Sequence, residues 1–215
     1  LTGWILLSVP NVAAEADSQK TTLRTAFLTP GVRPVLMVVL GWMLAHNILY
    51  TYITPFIAPA GLAPRVDLVL LVFGLTALSG IAITGYVVDH YLRRAVLLSV
   101  AGFALVALLF SLYGTSALAI YAGTALWGLT FGGAATLLQT ALADASGKHA
   151  DVALSLNVVT WNSAIALGGV CGGLLLRHGG SQSLPLVLLL LLLVTLVVVW
   201  QAGKHGFPKG ARTHR

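Results

Sequence analysis

The sequence predicts an all-α polytopic membrane protein, folded as a six-transmembrane-helix bundle. Hydrophobic residues make up 58% of its 215 residues and only 8% are charged, whereas an ordinary soluble domain carries about 25% charged residues. The apolar residues also form continuous runs of about 20 residues, the length that a helix needs to cross a bilayer. Because these runs lack the alternation of transmembrane β-strands, the spans are predicted to be helices.

Six runs are predicted as spans, which makes residues 35–202 one six-helix transmembrane domain. They cover residues 35–57, 66–88, 95–113, 116–142, 152–176 and 184–202. Residues 1–10 are apolar but too short to cross, and we interpret them as the end of a preceding transmembrane helix in a longer protein. A non-standard start codon or a short interfacial helix is the alternative. Residues 11–34 are interpreted as a cytoplasmic linker and residues 203–215 as a basic cytoplasmic tail.

The distribution of Lys and Arg predicts how the chain is oriented in the membrane. Ten of the twelve basic residues lie before the first span, after the second or fourth span, or in the tail, and the other two are Arg65 and Arg177. Basic loops stay in the cytoplasm, so we predict a multi-pass protein of the cytoplasmic (inner) membrane with both termini cytoplasmic. The net charge of +6 does not indicate nucleic acid as a partner, because the basic residues do not cluster with aromatic ones.

The charged turn between the second and third predicted spans is the most distinctive segment. Residues 85–94 read Gly-Tyr-Val-Val-Asp-His-Tyr-Leu-Arg-Arg, and we call them the signature turn. Arg93 and Arg94 are well placed for the helix dipoles, but Asp89 opposes the negative C-terminal end of its own helix. Its position therefore predicts that Asp89 meets another group, such as the N-terminus of another helix.

Polar residues at membrane depth are the candidates for a substrate path. His46, Asn47 and Tyr50 lie on or beside one face of the first span, and Asn157 and Trp161 are one turn apart on the fifth. Polar groups are costly in a bilayer unless they face other helices or a cavity. We predict that these five line the path, with interhelical hydrogen bonding as the alternative. For His46, a structural role is favoured over proton transfer.

Other features of the sequence indicate packing rather than chemistry. Gly128 and Gly132 form a small-xxx-small pair, and a second glycine cluster lies at residues 168–173; both predict close helix contacts. The chain has no phosphate-binding glycine loop before a Lys, and its single cysteine, Cys171, has no neighbouring metal ligands. We therefore predict no catalytic residue, no metal, no cofactor and no enzymatic activity.

The signature turn resembles the loop that recurs in each half of the major facilitator superfamily of secondary transporters. That loop usually reads Gly-xxx-Asp-Arg/Lys-x-Gly-Arg-Arg/Lys, and this chain keeps Gly85, Asp89, Arg93 and Arg94. It differs at the two positions that hold His and Leu. Further stretches are similar to the drug–proton antiporter and sugar-efflux branch of the superfamily, namely residues 50–56, 71–74, 127–139 and 155–173.

The resemblance implies that residues 35–202 are the C-terminal half of a twelve-helix transporter with two halves around one path. It implies alternating access and proton-coupled efflux of a small organic solute such as a sugar, nucleoside or drug, with the lipid bilayer, the solute and protons as partners. The signature turn would then gate the path by bracing this half against a missing N-terminal half or a second copy. The alternatives are a non-transporting membrane fragment, a six-helix scaffold, or a half-transporter that works only as a dimer.

Overall fold

The computed structural model describes residues 22–208, which form eight α-helices and no β-strand. Four stretches within the described residues are long and apolar enough to cross a membrane: Val32–Thr51, Ala63–Tyr113, Ala117–Gly179 and Ser181–Gln201. The prediction of an all-α polytopic membrane protein is confirmed. The helices are α1 Leu23–Leu28, α2 Val32–Thr51, α3 Ile53–Ile57, α4 Val66–Tyr113, α5 Ala117–Phe131, α6 Ala134–Ser146, α7 Ala150–Gly179 and α8 Leu184–Gln201.

The longest helix, α4, is a helical hairpin rather than one rod. Its backbone is non-helical at Tyr91, where φ is −131° and ψ is 27°, and this residue separates a first arm, 66–90, from a second arm, 92–113. Phe73 and Phe103, on different arms, both contact Trp127, with ring centroids 4.4 and 5.9 Å away. On a straight helix these residues would be about 45 Å apart, so the chain reverses at Tyr91.

The reversal is tighter than the sequence predicts. The two spans were expected to end at residue 88 and to resume at residue 95, but the first arm stays helical up to Tyr91 and the second arm begins directly after it. Gly85 is therefore a helical residue, and a Cβ there would meet no other atom within 4 Å. We call the end of the bundle that holds Tyr91 the turn end.

Contacts between the helices show that the long segments alternate in direction. Helix α5 is antiparallel to α2, because Phe131 contacts Trp42 and Trp127 contacts Tyr50. In contrast, α7 runs parallel to α2, since Gly168 packs against Asn47 and Gly172 against Tyr52 further along. Helices α5 and α6 meet in a bend rather than a reversal, because both glycines between them have right-handed helical backbone. Six long segments result, as predicted: α2, the two arms of α4, α5 with α6, α7 and α8.

Glycines allow the first arm of α4 and α5 to pack backbone against backbone. A Cβ on Gly128 would meet the carbonyl oxygen of Phe73, and one on Gly132 would meet that of Ala77. From the other side, a Cβ on Gly80 would meet the carbonyl oxygen of Leu129. The predicted packing role of Gly128 and Gly132 is confirmed, because close approach of this kind requires small residues.

The second glycine cluster packs α7 against α2. Gly168 lies against Asn47, and Gly172 lies against the ring of Tyr52. The Tyr52 hydroxyl donates a hydrogen bond to the carbonyl oxygen of Gly169 at 2.7 Å. This contact also confirms the predicted packing role of the glycines, and it accounts for one of the polar side chains of the first span.

The predicted linker and tail are described only in part. Residues 1–21 and 209–215, which include the predicted helix end at 1–10, lie outside the described residues. Where it is described, the linker is helical: it forms α1, whose N-cap Thr22 accepts from the backbone N–H of Thr25, and the first turn of α2. The described tail folds back on the bundle, and Phe207 within it is fully buried.

Candidate functional site

The structure divides the five predicted path residues into two groups. His46, Asn47 and Tyr50 lie in the second half of α2, whereas Asn157 and Trp161 lie in the first half of α7. Asn47 packs against Gly168, and Asn157 precedes that glycine by 11 residues, so Asn157 lies about 16 Å nearer the turn end. Asn47 and Asn157 are therefore too far apart for one small solute to contact both, although a path along the bundle passes both levels.

The imidazole of His46 is surrounded by four aromatic rings. We call these five side chains the aromatic cluster: His46, Tyr50, Phe73, Trp127 and Phe131. Its imidazole stacks on the ring of Phe131, with centroids 3.5 Å apart and planes 2° apart. The centroids of Trp127, Tyr50 and Phe73 lie 5.3, 5.5 and 5.9 Å from it. His46 is 9% exposed and Tyr50 is 46% exposed, so Tyr50 forms an open edge of the cluster.

Two polar atoms of the aromatic cluster are buried without a hydrogen-bond partner among residues 22–208. They are Nδ1 of His46 and Nε1 of Trp127. An unpaired buried polar group costs about 1–3 kcal/mol, so ring stacking holds these side chains in place at the expense of their hydrogen-bonding capacity. A polar ligand that entered the cluster would regain that free energy. The interhelical hydrogen bonds considered for this face of the first span are not what fixes His46.

The other predicted path residues have different environments. Asn47 donates from Nδ2 to the carbonyl oxygen of Met43, one turn earlier, at 2.7 Å. Asn157 is 4% exposed, and its Oδ1 has no partner within the described part of the chain. Trp161 is partly buried against the hydrophobic core. Asn157 therefore offers a further unused acceptor inside the bundle, while Asn47 belongs to the contact between α2 and α7.

Sequence reasoning missed three members of the aromatic cluster. Phe73, Trp127 and Phe131 were not predicted as site residues, although all three lie in stretches that carry the family resemblance. Trp127 and Phe131 are four residues apart and so share a helix face. That spacing is a usable signal, but it does not reveal that His46 of another helix lies between them.

Arg93 of the signature turn holds the end of the last helix. Its Nη1 donates to the carbonyl oxygens of Val199 and Phe207 at 2.8 and 2.9 Å, and its Nη2 donates to that of Trp200 at 2.9 Å. A cation at the C-terminus of a helix is favoured by the dipole, and charge-assisted bonds are among the stronger ones. Arg93 thus connects the α4 hairpin, α8 and the tail within this chain.

The other charged residues of the signature turn are at the surface. The side chains of Asp89 and Arg94 are exposed, and the guanidinium carbon of Arg94 lies 5.7 Å from the ring centroid of Tyr91. The two arginines of one turn therefore have different positions: Arg93 turns inward to backbone carbonyls, and Arg94 lies at the outer surface.

A bundle of alternating apolar helices, with unpaired polar groups among its buried side chains, is typical of polytopic membrane transporters. The chain belongs to the Major Facilitator Superfamily, whose sequence model matches residues 25–213. This is a superfamily of membrane transporters, and the curated relatives that the chain resembles are named as efflux pumps.

The relatives are efflux pumps of about twice this length. The purine ribonucleoside efflux pump NepI of Escherichia coli O157:H7 is 31% identical over 195 residues, which cover 86% of this chain and 47% of the pump. NepI of Escherichia coli strain K12 is 30% identical over the same length. The chain therefore spans about half the length of the curated relatives it matches.

Two solved structures share the fold. The POT family transporter PepTSo matches with a TM-score of 0.73 and 15% identity, over 87% of this chain and 40% of that chain. An auto-inhibited POT family peptide transporter matches with a TM-score of 0.75 and 16% identity, over 86% and 39%. At such low identity these likenesses show the fold alone.

Proposed function

We propose that this chain is one half of an efflux transporter that exports a small organic solute by alternating access, and that the solute is a nucleoside. The aromatic cluster is the observation that carries this proposal. A nucleobase is planar and stacks on aromatic side chains, with about 1–3 kcal/mol per base, and the open edge of Tyr50 offers such a face. The unpaired Nδ1 of His46 and Nε1 of Trp127 suit the polar edges of a base. The relatives named as purine ribonucleoside efflux pumps favour a nucleoside over a sugar or another drug-like solute.

Proton entry is the proposed source of energy, and the proton-carrying carboxylate is proposed to belong to a partner half. Asp67 and Asp151 lie in the first turns of α4 and α7. Asp89 ends the first arm of α4, and Asp144 lies in the last turn of α6. Every carboxylate of residues 22–208 therefore lies near a helix end, away from the middle of the membrane. The partner is proposed to be an N-terminal half or a second copy.

The signature turn is proposed to act as a gate on the cytoplasmic side of the cell membrane, with both termini cytoplasmic. Asp89 would face a helix N-terminus of the partner half, since a carboxylate there is favoured by the dipole. Gly85 lies in open space, which leaves room for a close helix approach. A non-transporting fragment or scaffold is the alternative function.

Nucleoside efflux from preloaded cells tests the proposal. The full coding form of the protein is expressed in cells that lack their own exporters, and loss of a radiolabelled purine ribonucleoside is followed. We expect Tyr50→Ala to lower the efflux rate about tenfold, because it removes the stacking face, and Tyr50→Phe to keep most of it. Asp89→Asn should also lower the rate, with unchanged amounts of protein in the membrane.

Two results would contradict separate parts of the proposal. Equal efflux by cells with and without the protein, for nucleosides, sugars and drug-like compounds alike, would favour the non-transporting alternative. Normal efflux by Asp89→Asn would remove the gating role of the signature turn but leave the substrate assignment intact.

A further inference from the structure

A groove of about 430 Å³ lies between the two arms of α4 and helix α5, at the turn end. Small or buried residues form its floor, where Gly80 packs on α5 and Thr84 is 7% exposed. Exposed apolar side chains form its walls, including Ile83 at 52% and Leu98 at 73% exposure. Arg94 and Tyr91 lie at its mouth. We propose that this groove binds one acyl chain of an anionic phospholipid, whose phosphate meets Arg94.

The depth of the groove in the membrane matches the length of one lipid leaflet. Tyr91 joins two membrane-spanning arms, so the mouth of the groove lies at the boundary between lipid and water. Gly80 precedes Tyr91 by 11 residues on the first arm and so lies about 16 Å from it. The hydrocarbon core of a bilayer is about 30 Å thick, so the groove extends from the headgroup level to about the bilayer centre.

The chemistry of the groove changes along its length as that of a phospholipid does. Its interior is bounded by aliphatic side chains and by small residues such as Ser99, which is half-buried on the second arm. Its mouth carries a guanidinium and a phenol, groups that suit the level of the headgroups. The signature turn contains two basic residues, Arg93 and Arg94, and one acidic residue, Asp89. Its net charge is therefore positive and favours an anionic headgroup.

Arg94 is the residue of this turn that faces the groove. Arg93 turns to the carbonyl oxygens at the end of α8, whereas Arg94 is exposed and lines the mouth. A guanidinium binds phosphate through two parallel hydrogen bonds, and a lysine offers only a point charge. The proposal does not depend on which solute the protein exports.

Photolabelling in nanodiscs tests the proposal. The chain is reconstituted in phosphatidylcholine that contains a small fraction of a phospholipid with a diazirine on one acyl chain, carrying either a phosphatidylglycerol or a phosphatidylcholine headgroup. After illumination, mass spectrometry locates the adducts. We expect groove adducts, on Ile83 and Leu98, to be about fivefold more abundant with phosphatidylglycerol, since one basic residue near the surface contributes about that preference. Adducts on Leu193 of α8, which is exposed elsewhere, should show no preference.

Two pairs of variants separate the headgroup contact from the groove itself. Arg94→Gln should remove the preference for phosphatidylglycerol, and Arg94→Lys should keep part of it. Ser99→Phe fills the groove and should abolish its adducts with both headgroups. Ser111→Phe, on the same arm but outside the groove, should leave them unchanged.

Three results would overturn the proposal. The first is equal labelling of the groove and of Leu193 with both headgroups, and the second is identical labelling of the two Ser→Phe variants. The third is loss of groove labelling, with Leu193 labelling intact, when an N-terminal half is co-expressed. That outcome would assign the groove to a helix of the partner half.

Discussion

Arg93 at the turn end is held by hydrogen bonds, while His46 and Trp127 of the aromatic cluster are held by ring contacts. Arg93 donates to three backbone carbonyl oxygens, so the end of α8 and the start of the tail are tied to the α4 hairpin. In the aromatic cluster, His46 and Trp127 are held by ring contacts, and their buried nitrogens lack partners within residues 22–208. Satisfied polar networks rigidify a structure, whereas partly satisfied ones leave free energy for a ligand to regain. The first region is therefore suited to holding the fold and the second to binding a solute.

The largest expected effect is on the contact between the first arm of α4 and helix α5. In Gly128→Val, the new side chain would collide with the carbonyl oxygen of Phe73, and a backbone atom cannot move aside as a side chain can. We expect the first arm of α4 to separate from α5, with loss of folded protein in size-exclusion chromatography. Gly74→Val is the matched control, because a Cβ at Gly74 meets no atom within 4 Å. A folded Gly128→Val protein would show that this contact does not support the bundle.

The next effect concerns the turn end. Arg93→Ala removes three charge-assisted hydrogen bonds, two of them to carbonyl oxygens at the end of α8 and one to a carbonyl oxygen of the tail. We expect a loss of about 3 kcal/mol in the free energy of unfolding, measured in detergent, together with faster proteolysis after α8. Arg94→Ala removes the same charge from the next position and should cost under about 1 kcal/mol. Equal losses in the two variants would show that charge, rather than the contacts of Arg93, stabilises this end.

Much of the fold could be predicted from the sequence, because the apolar runs and the basic loops are local signals. Residues 66–88 and 95–113 were recognised as antiparallel spans for this reason. A short turn between them was predicted as well, but not that it would narrow to the single residue Tyr91, since the charged residues of the signature turn resemble a surface loop. Their helical backbone up to Tyr91 depends on packing against α5 and α8, which no local pattern encodes.

The candidate site was predictable only in part. His46 and Tyr50 share a helix face and were found from their spacing alone. Phe73 and Phe131 come from two other helices, and their contact with His46 depends on how closely the glycines allow those helices to approach. Arg93 was assigned to a gate from its place in the signature turn, and its bonds to the end of α8 could not be foreseen, because they join residues about 110 positions apart.

A smaller effect is expected for the contact between α2 and α7. Tyr52→Phe removes the hydrogen bond to the Gly169 carbonyl oxygen but keeps the ring that packs on Gly172. We expect a loss of about 1 kcal/mol in the free energy of unfolding, measured by thermal unfolding in detergent. Tyr121→Phe is a suitable control, because Tyr121 is another half-buried tyrosine. A loss above about 3 kcal/mol would mean that the ring has shifted and that the two helices have separated.

The smallest effect on stability, with a large effect on transport, is expected at the centre of the aromatic cluster. His46→Phe retains an aromatic ring against Phe131 and removes the unpaired Nδ1, so the free energy of unfolding should stay within about 1 kcal/mol of the wild type. Nucleoside efflux should nevertheless fall about tenfold, because the lost nitrogen is the group proposed to bind the solute. Phe131→Leu is the reverse control: it weakens the ring stack, keeps the imidazole, and should cost more stability than transport. If His46→Phe lowered stability and left efflux intact, the aromatic cluster would be part of the scaffold, as the turn end is, and the contrast between the two regions would disappear.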